Sequence, residues 1–69
     1  MEKAIAARIM DSVLSLGEGI NKLDSQISEL SNPVEKEQFV QALGNIMGIL
    51  TRDFIFRIAR EHPELDPDR

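Results

Sequence analysis

Apolar side chains recur along the first half of the chain at alternating intervals of four and three residues. This spacing is a heptad repeat, which places its apolar residues along one face of an α-helix. The repeat consists of Ile9, Val13, Leu16, Ile20, Leu23, Ile27 and Leu30. We therefore predict a long amphipathic first helix over about residues 2–31.

Three neighbouring residues mark the start of a second helix. Asn32 suits an N-cap, because its side-chain oxygen can accept a hydrogen bond from an exposed backbone N–H. Pro33 follows at the first helical position, where its missing N–H costs nothing. Glu35 lies three residues after the cap, as in a capping box. The second helix is predicted from about residue 33 to about residue 61.

The apolar seam of the second helix changes phase part-way along. It consists of Phe39, Leu43, Ile46, Leu50, Phe54 and Ile58. A strict heptad after Leu50 would place Asp53 and Arg57 in the core, so the seam continues instead with a four-residue stutter, which predicts local unwinding of a supercoil. The helix should end before His62, since Pro63 disfavours the α conformation of the residue that precedes it. Residues 63–69 are predicted to form a flexible acidic tail.

A short connection between two long helices predicts an antiparallel helical hairpin over residues 1–62, and the fold class is all-α. In the register that this implies, the facing residues are apolar on both sides: Leu23 with Val40, Ile20 with Leu43, Leu16 with Met47, Val13 with Leu50, Ile9 with Phe54 and Ile5 with Ile58.

All four glycines lie near the midpoint of this hairpin. Gly17 and Gly19 either interrupt the first helix or are tolerated within it, and the heptad that runs through them favours a continuous helix. Gly44 and Gly48 form a GxxxG step on the second helix. One interpretation is a close helix approach where two hairpins touch at a two-fold axis; the other is that glycine is simply tolerated here.

Both helices carry more apolar surface than one hairpin can bury. The second helix has a further line at Ala42, Ile49 and Phe56, and the first has one at Ala7, Met10 and Leu14. We therefore predict a homodimeric four-helix bundle, with a tetramer as the alternative. Against this, some of the residues could be isolated exposed side chains. The predicted interaction surface consists of Leu14, Ala42, Ile49, Ile55 and Phe56.

Composition limits the chemistry that the chain can perform. The 69 residues include no cysteine and one histidine, and the formal net charge is −4. The lone His62 does not suggest a metal site, and we expect no catalytic residues and no cofactor. The sequence also shows no signal-peptide pattern and no long apolar run, so we expect a cytoplasmic protein without membrane contact.

Charge is unevenly distributed between the two ends of the predicted hairpin. Residues 1–14 and 49–62, which we call the open end, carry five basic and four acidic residues, whereas residues 15–48 carry two basic and five acidic ones. One interpretation is that cations complement the dipole at the end of the second helix. The other is a site for an acidic partner or RNA, formed by Lys3, Arg8, Arg52, Arg57 and Arg60.

In length and layout the chain resembles the plasmid Rop-type hairpin dimers, which bind paired RNA loops across one face of a four-helix bundle. The resemblance implies RNA binding at the basic open end, although the acidic balance counts against that role. The leading hypothesis is a non-enzymatic protein-interaction module that acts as a homodimer. A third is a secretion-type chaperone, in which a helix of another protein replaces the second copy.

Overall fold

The computed structural model describes residues 1–68, and these are all-helical. Helix α1 spans Lys3–Ser28 and α2 spans Pro33–Ile49. A π-helical segment, Leu50–Ile55, leads directly into α3, Phe56–Glu61, so that one long second helix runs from residue 33 to residue 61. A 3₁₀ turn follows at Pro63–Leu65. The prediction of two long helices is confirmed, and α1 continues through its two glycines without a break.

The boundary between α1 and α2 follows from the local chemistry of the connection. The Oδ1 atom of Asn32 accepts hydrogen bonds from the backbone N–H groups of Val34, at 3.0 Å, and Glu35, at 3.1 Å. Both N–H groups lack an intrahelical partner, so the side chain satisfies donors that the helix leaves free. The prediction of Asn32 as the N-cap is confirmed. Helix α1 ends three residues earlier than predicted, at Ser28.

Removing this cap should destabilise the protein measurably. For Asn32→Ala we expect a loss of about 1 kcal/mol in the free energy of unfolding, because two N–H groups lose their acceptor. The matched control is Asn32→Asp, which keeps an acceptor oxygen and should stay near the parent value. Urea denaturation followed by circular dichroism measures the difference. Equal loss in both variants would contradict the assignment of the cap.

The π-helical segment begins at Leu50, where the heptad pattern of the second helix loses phase. The backbone N–H of Phe56 donates to the carbonyl oxygen of Thr51, five residues earlier. Such a turn contains more residues than an α-helical turn, so it delays the rotation of the side chains that follow. The wider turn accommodates the extra residue in the seam and leaves Ile58 in the core, with a 2% exposed surface.

The core is small and lies mainly at the open end. Ala6, Met10 and Ile58 form a buried cluster, with Ile9, Ile55 and Leu65 packed against it. Val13, Ile27 and Leu43 are the other buried apolar residues. Met10 was predicted on a surplus line outside the contact between the helices, and this prediction is wrong. Met10 is 4% exposed and shares the buried cluster with Ala6 and Ile58, so its stripe of α1 takes part in the contact with the second helix.

The segment predicted as a flexible tail has local structure in the residues described. Pro63–Leu65 form a 3₁₀ turn, and Leu65 packs against the core cluster. The side chain of Asp66 accepts a hydrogen bond from the backbone N–H of Asp68, at 2.9 Å. The acidic composition of residues 63–69 predicted a frayed end, but Leu65 packs against the core cluster in the residues described.

The molecule is a rod rather than a compact globule. Its principal extents are 46 × 19 × 17 Å, and its radius of gyration is 14.7 Å, against about 11 Å for a compact domain of this length. Its accessible surface is 5336 Å², about 1,000 Å² more than a compact monomer of this mass exposes. None of the helices described is long and apolar enough to cross a membrane.

Candidate functional site

Several residues of the predicted hairpin seam are exposed rather than buried. Leu16 and Leu23 of α1 are 52% and 44% exposed, and Phe39 and Ile46 of α2 are 52% and 45% exposed. The prediction that these residues bury one another within a single chain is therefore wrong. Other seam residues, Val13 and Ile27 of α1 and Leu43 of α2, are buried, so only part of each predicted seam lies outside the contact between the helices.

These residues line three depressions that merge into one groove. The depression near the connection is lined by Leu23, Ile27, Leu30 and Phe39, and the middle one by Leu16, Ile20, Leu23, Ile46 and Leu50. The third, at the open end, is lined by Ile5, Ile9, Leu16, Leu50 and Phe54 among others. Leu23 joins the first two, and Leu16 and Leu50 join the second and third. From Ile5 to Leu30 this groove is about 37 Å long at 1.5 Å per residue.

The groove has the shape and the periodicity of a helix-packing surface. Its largest part has a volume of about 690 Å³, which is in the range of small-molecule sites, but the groove runs most of the length of the rod. On the α2 side, Phe39, Ala42, Ile46 and Ile49 are spaced by three, four and three residues, as in a coiled-coil seam. All four are exposed. The groove is therefore suited to receive further helices.

The predicted interaction surface is divided between two faces of the molecule. Ala42 and Ile49 belong to the α2 stripe beside the groove. Leu14 and Ile55 instead line a smaller rear depression with Met47 and Thr51, and Ile20 and Leu50 border both this depression and the groove. Leu14 is separated from Leu16 by about 200° around the helix, which places the rear depression on the other side of the contact between the helices. Phe56 is 54% exposed.

None of the four glycines lies at a close approach of the helices within one chain. A Cβ atom added at Gly17, Gly19, Gly44 or Gly48 would meet no atom within 4 Å. The interpretation of a close approach concerned the contact between two hairpins, and a single chain does not test it. Contact at these glycines between two copies stays a prediction, and the open space at Gly19 is part of the groove.

Three of the five basic residues at the open end are paired with carboxylates. Lys3 lies 3.3 Å from Glu64, Arg52 lies 3.4 Å from Asp53, and Arg57 lies 3.8 Å from Glu61. Arg8 and Arg60 have no ion pair within residues 1–68. These pairs are exposed and individually weak. They reduce the positive potential that an RNA phosphate would meet, so the geometry does not favour an RNA site here.

The chain start and the end of α3 form a cluster of charged and polar groups. The amine of Met1 lies 3.2 Å from the Glu61 carboxylate, and Nε2 of His62 donates to the carbonyl oxygen of Met1 at 3.0 Å. The hydrogen bond from the Met1 amine lowers the pKa of Glu61 below its ordinary value of 4.5. A backbone hydrogen bond to its own carboxylate, with help from Lys3, lowers the pKa of Glu64.

These shifts predict that acid loosens the open end. A carboxyl group whose pKa is lowered by folding contributes stability above its unfolded value and loses it as the pH falls through its folded value. Contacts of the His62–Leu65 region should therefore weaken below pH 4.5. NMR amide shifts between about pH 5 and pH 2.5 measure this. Glu61→Gln should remove part of the transition, whereas Glu18→Gln, at a residue outside these ion pairs, should not.

No group of three or more potential metal-ligating residues occurs within residues 1–68. Comparison of the chain with protein-family models, with curated proteins and with solved structures gives no match.

Proposed function

We propose that the chain is an antiparallel helical hairpin that pairs with a second copy into a four-helix bundle and acts as a non-enzymatic protein-interaction module. The observation that carries this proposal is the uncovered groove, whose large apolar residues follow coiled-coil spacing on both helices. A surface with this spacing is buried when another pair of helices packs against it.

The contacts at the two ends of the rod support the hairpin. Met1 lies against Glu61 and His62, so the beginning of α1 and the end of α3 are neighbours. At the other end, only residues 29–32 separate α1 from α2. An antiparallel arrangement accounts for both observations.

The balance of buried and exposed surface supports the second copy. Within residues 1–68, six apolar residues are buried, whereas thirteen large apolar residues are exposed. A core of this size in a chain of fewer than about 70–80 residues contributes at most a few kcal/mol, so further burial is needed for a stable fold. The excess surface of about 1,000 Å² is close to the roughly 800 Å² that each partner buries in a standard interface.

Pairing through the groove would leave the rear depression free for another protein. Leu14, Met47 and Ile55 line it, and an amphipathic helix of a partner could pack there. The proposal includes a cytoplasmic location, and a sequence without cysteine is compatible with a reducing compartment.

Sedimentation equilibrium of the purified chain tests the proposal. We expect twice the chain mass of 7.8 kDa at micromolar concentration, with helicity that falls on dilution as the dimer dissociates. A folded monomer at all concentrations would contradict the proposal. A chain that is stable only in a 1:1 complex with a different protein would favour the chaperone alternative instead.

A further inference from the structure

Val13, Ile20 and Ile27 of α1 line the groove as buried or half-buried residues, and the α1 residues beside them alternate between large and small or polar side chains. Two interleaved series, each with a spacing of seven, face the groove side of the helix. Ile9, Leu16, Leu23 and Leu30 form the large series, and Ser12, Gly19 and Gln26 lie between them. Ser12 and Gly19 line the groove, and a Cβ atom added at Gly19 would have no neighbour within 4 Å. Along the α1 side of the groove, large apolar side chains therefore alternate with small or polar residues that leave space between them.

When two copies of α1 lie antiparallel, the large residues of one copy face the small or polar residues of the other. In an antiparallel alignment of two copies of α1, Leu16 lies beside Gly19 of the second copy. The same alignment sets Leu23 beside Ser12 and Ile9 beside Gln26. Alternation of large and small residues across facing helices is the arrangement that fills space without strain.

The charges at the edge of the groove fit the same alignment. Arg8 and Glu29 both precede a residue of the large series, which is the position whose side chains flank an antiparallel coiled-coil contact. The alignment that sets Leu16 beside Gly19 brings Arg8 of each copy next to Glu29 of the other. Both residues are exposed, and neither has an ion-pair partner within residues 1–68.

A two-fold axis along the rod would give neither the packing of large against small residues nor the contacts between Arg8 and Glu29. If the axis ran along the rod, α1 of one copy would lie against α2 of the other at the same level. Leu16 would then face Ile46, and Leu23 would face Phe39, so large side chains would meet large ones. That arrangement would also place the two acidic ends, residues 15–48, side by side.

We propose that the partner in the groove is a second copy packed antiparallel, α1 against α1, about a two-fold axis that crosses the rod between Leu16 and Gly19. This inference rests on the proposed homodimer and assigns its direction and register. Leu16 of each copy fills the space above Gly19 of the other, and an Arg8–Glu29 ion pair closes each end of the contact.

A charge-exchange experiment tests the register. In Arg8→Glu homodimers both contacts become acid against acid, and in Glu29→Arg homodimers both become base against base. When the two variants are mixed, both contacts of the heterodimer are acid against base. We expect native mass spectrometry to show a heterodimer fraction clearly above the statistical half at low salt, returning towards one half at about 1 M salt.

A distance measurement tests the direction independently of these charges. The only cysteine in a Ser31→Cys variant would carry a nitroxide label in the connection between the helices. Antiparallel copies place the two labels about 40 Å apart, whereas an axis along the rod places them within about 20 Å. Double electron–electron resonance separates these values.

The outcomes separate the inference from the proposed function. A dimer with a statistical heterodimer fraction or a short label distance overturns the register while the homodimer stands. A monomeric parent chain overturns both. An excess of heterodimer together with a long label distance supports the antiparallel register.

Discussion

Replacing Ile46 by glutamate should convert the dimer into a monomer. Ile46 lies in the middle of the groove and is 45% exposed in a single chain. Packing of a second copy would bury it, so each dimer would contain two carboxylates without a partner. Removing a charge from water without compensation costs several kcal/mol, and about 1.4 kcal/mol corresponds to a tenfold change in affinity. We expect dimerisation to weaken by more than about a hundredfold.

The neighbouring residue provides a matched control. Met47 is on the same helix and is 49% exposed, but it lines the rear depression instead of the groove. Met47→Glu therefore introduces the same charge with similar exposure on the other side of the contact between the helices. Sedimentation equilibrium should show a monomer for Ile46→Glu and a dimer for Met47→Glu. The reverse result would assign the dimer contact to the rear depression and contradict the groove.

Replacing Ile58 by alanine should remove most of the stability of the fold. Ile58 is 2% exposed and packs against Ala6 and Met10. Truncating a buried isoleucine costs about 2–5 kcal/mol, since the side chain leaves a cavity as well as losing its burial. The total free energy of unfolding of a domain this small is of the order of 3–10 kcal/mol. The variant should show a broad, weakly cooperative thermal transition at the same protein concentration.

Phe56→Ala is the control for this experiment. Phe56 is two residues earlier on the same helix and is 54% exposed, so its truncation should change stability by about 0.5 kcal/mol or less. Circular dichroism at matched concentrations measures both variants, because a dimer's stability depends on concentration. If Phe56→Ala destabilises the protein as much as Ile58→Ala does, Phe56 is buried in the dimer and the groove is not the whole interface.

The start of α2 and the phase change were predictable because their causes are local. A cap depends on the residues next to it, and Asn32, Pro33 and Glu35 stand within four positions of one another. The phase change depends only on the spacing of apolar residues along one helix, and the π-helical segment begins at Leu50, after which the heptad spacing is lost. The 3₁₀ turn at Pro63–Leu65 was missed because it is held by Leu65 packing on a core formed by residues distant in sequence.

By itself, the sequence determined that this chain forms two long helices, where the second begins, and that together they carry more apolar surface than a single pair of helices can bury. Only the tertiary structure decided which stripe of α1 faces its own second helix, because Met10 and Leu16 lie on different apolar stripes and both satisfy helical periodicity. The stripe that faces the second helix depends on how closely the two helices can approach. The small side chain of Ala6 leaves room for Ile58 in the core cluster. Met10 is consequently buried, and Leu16 is left in the groove.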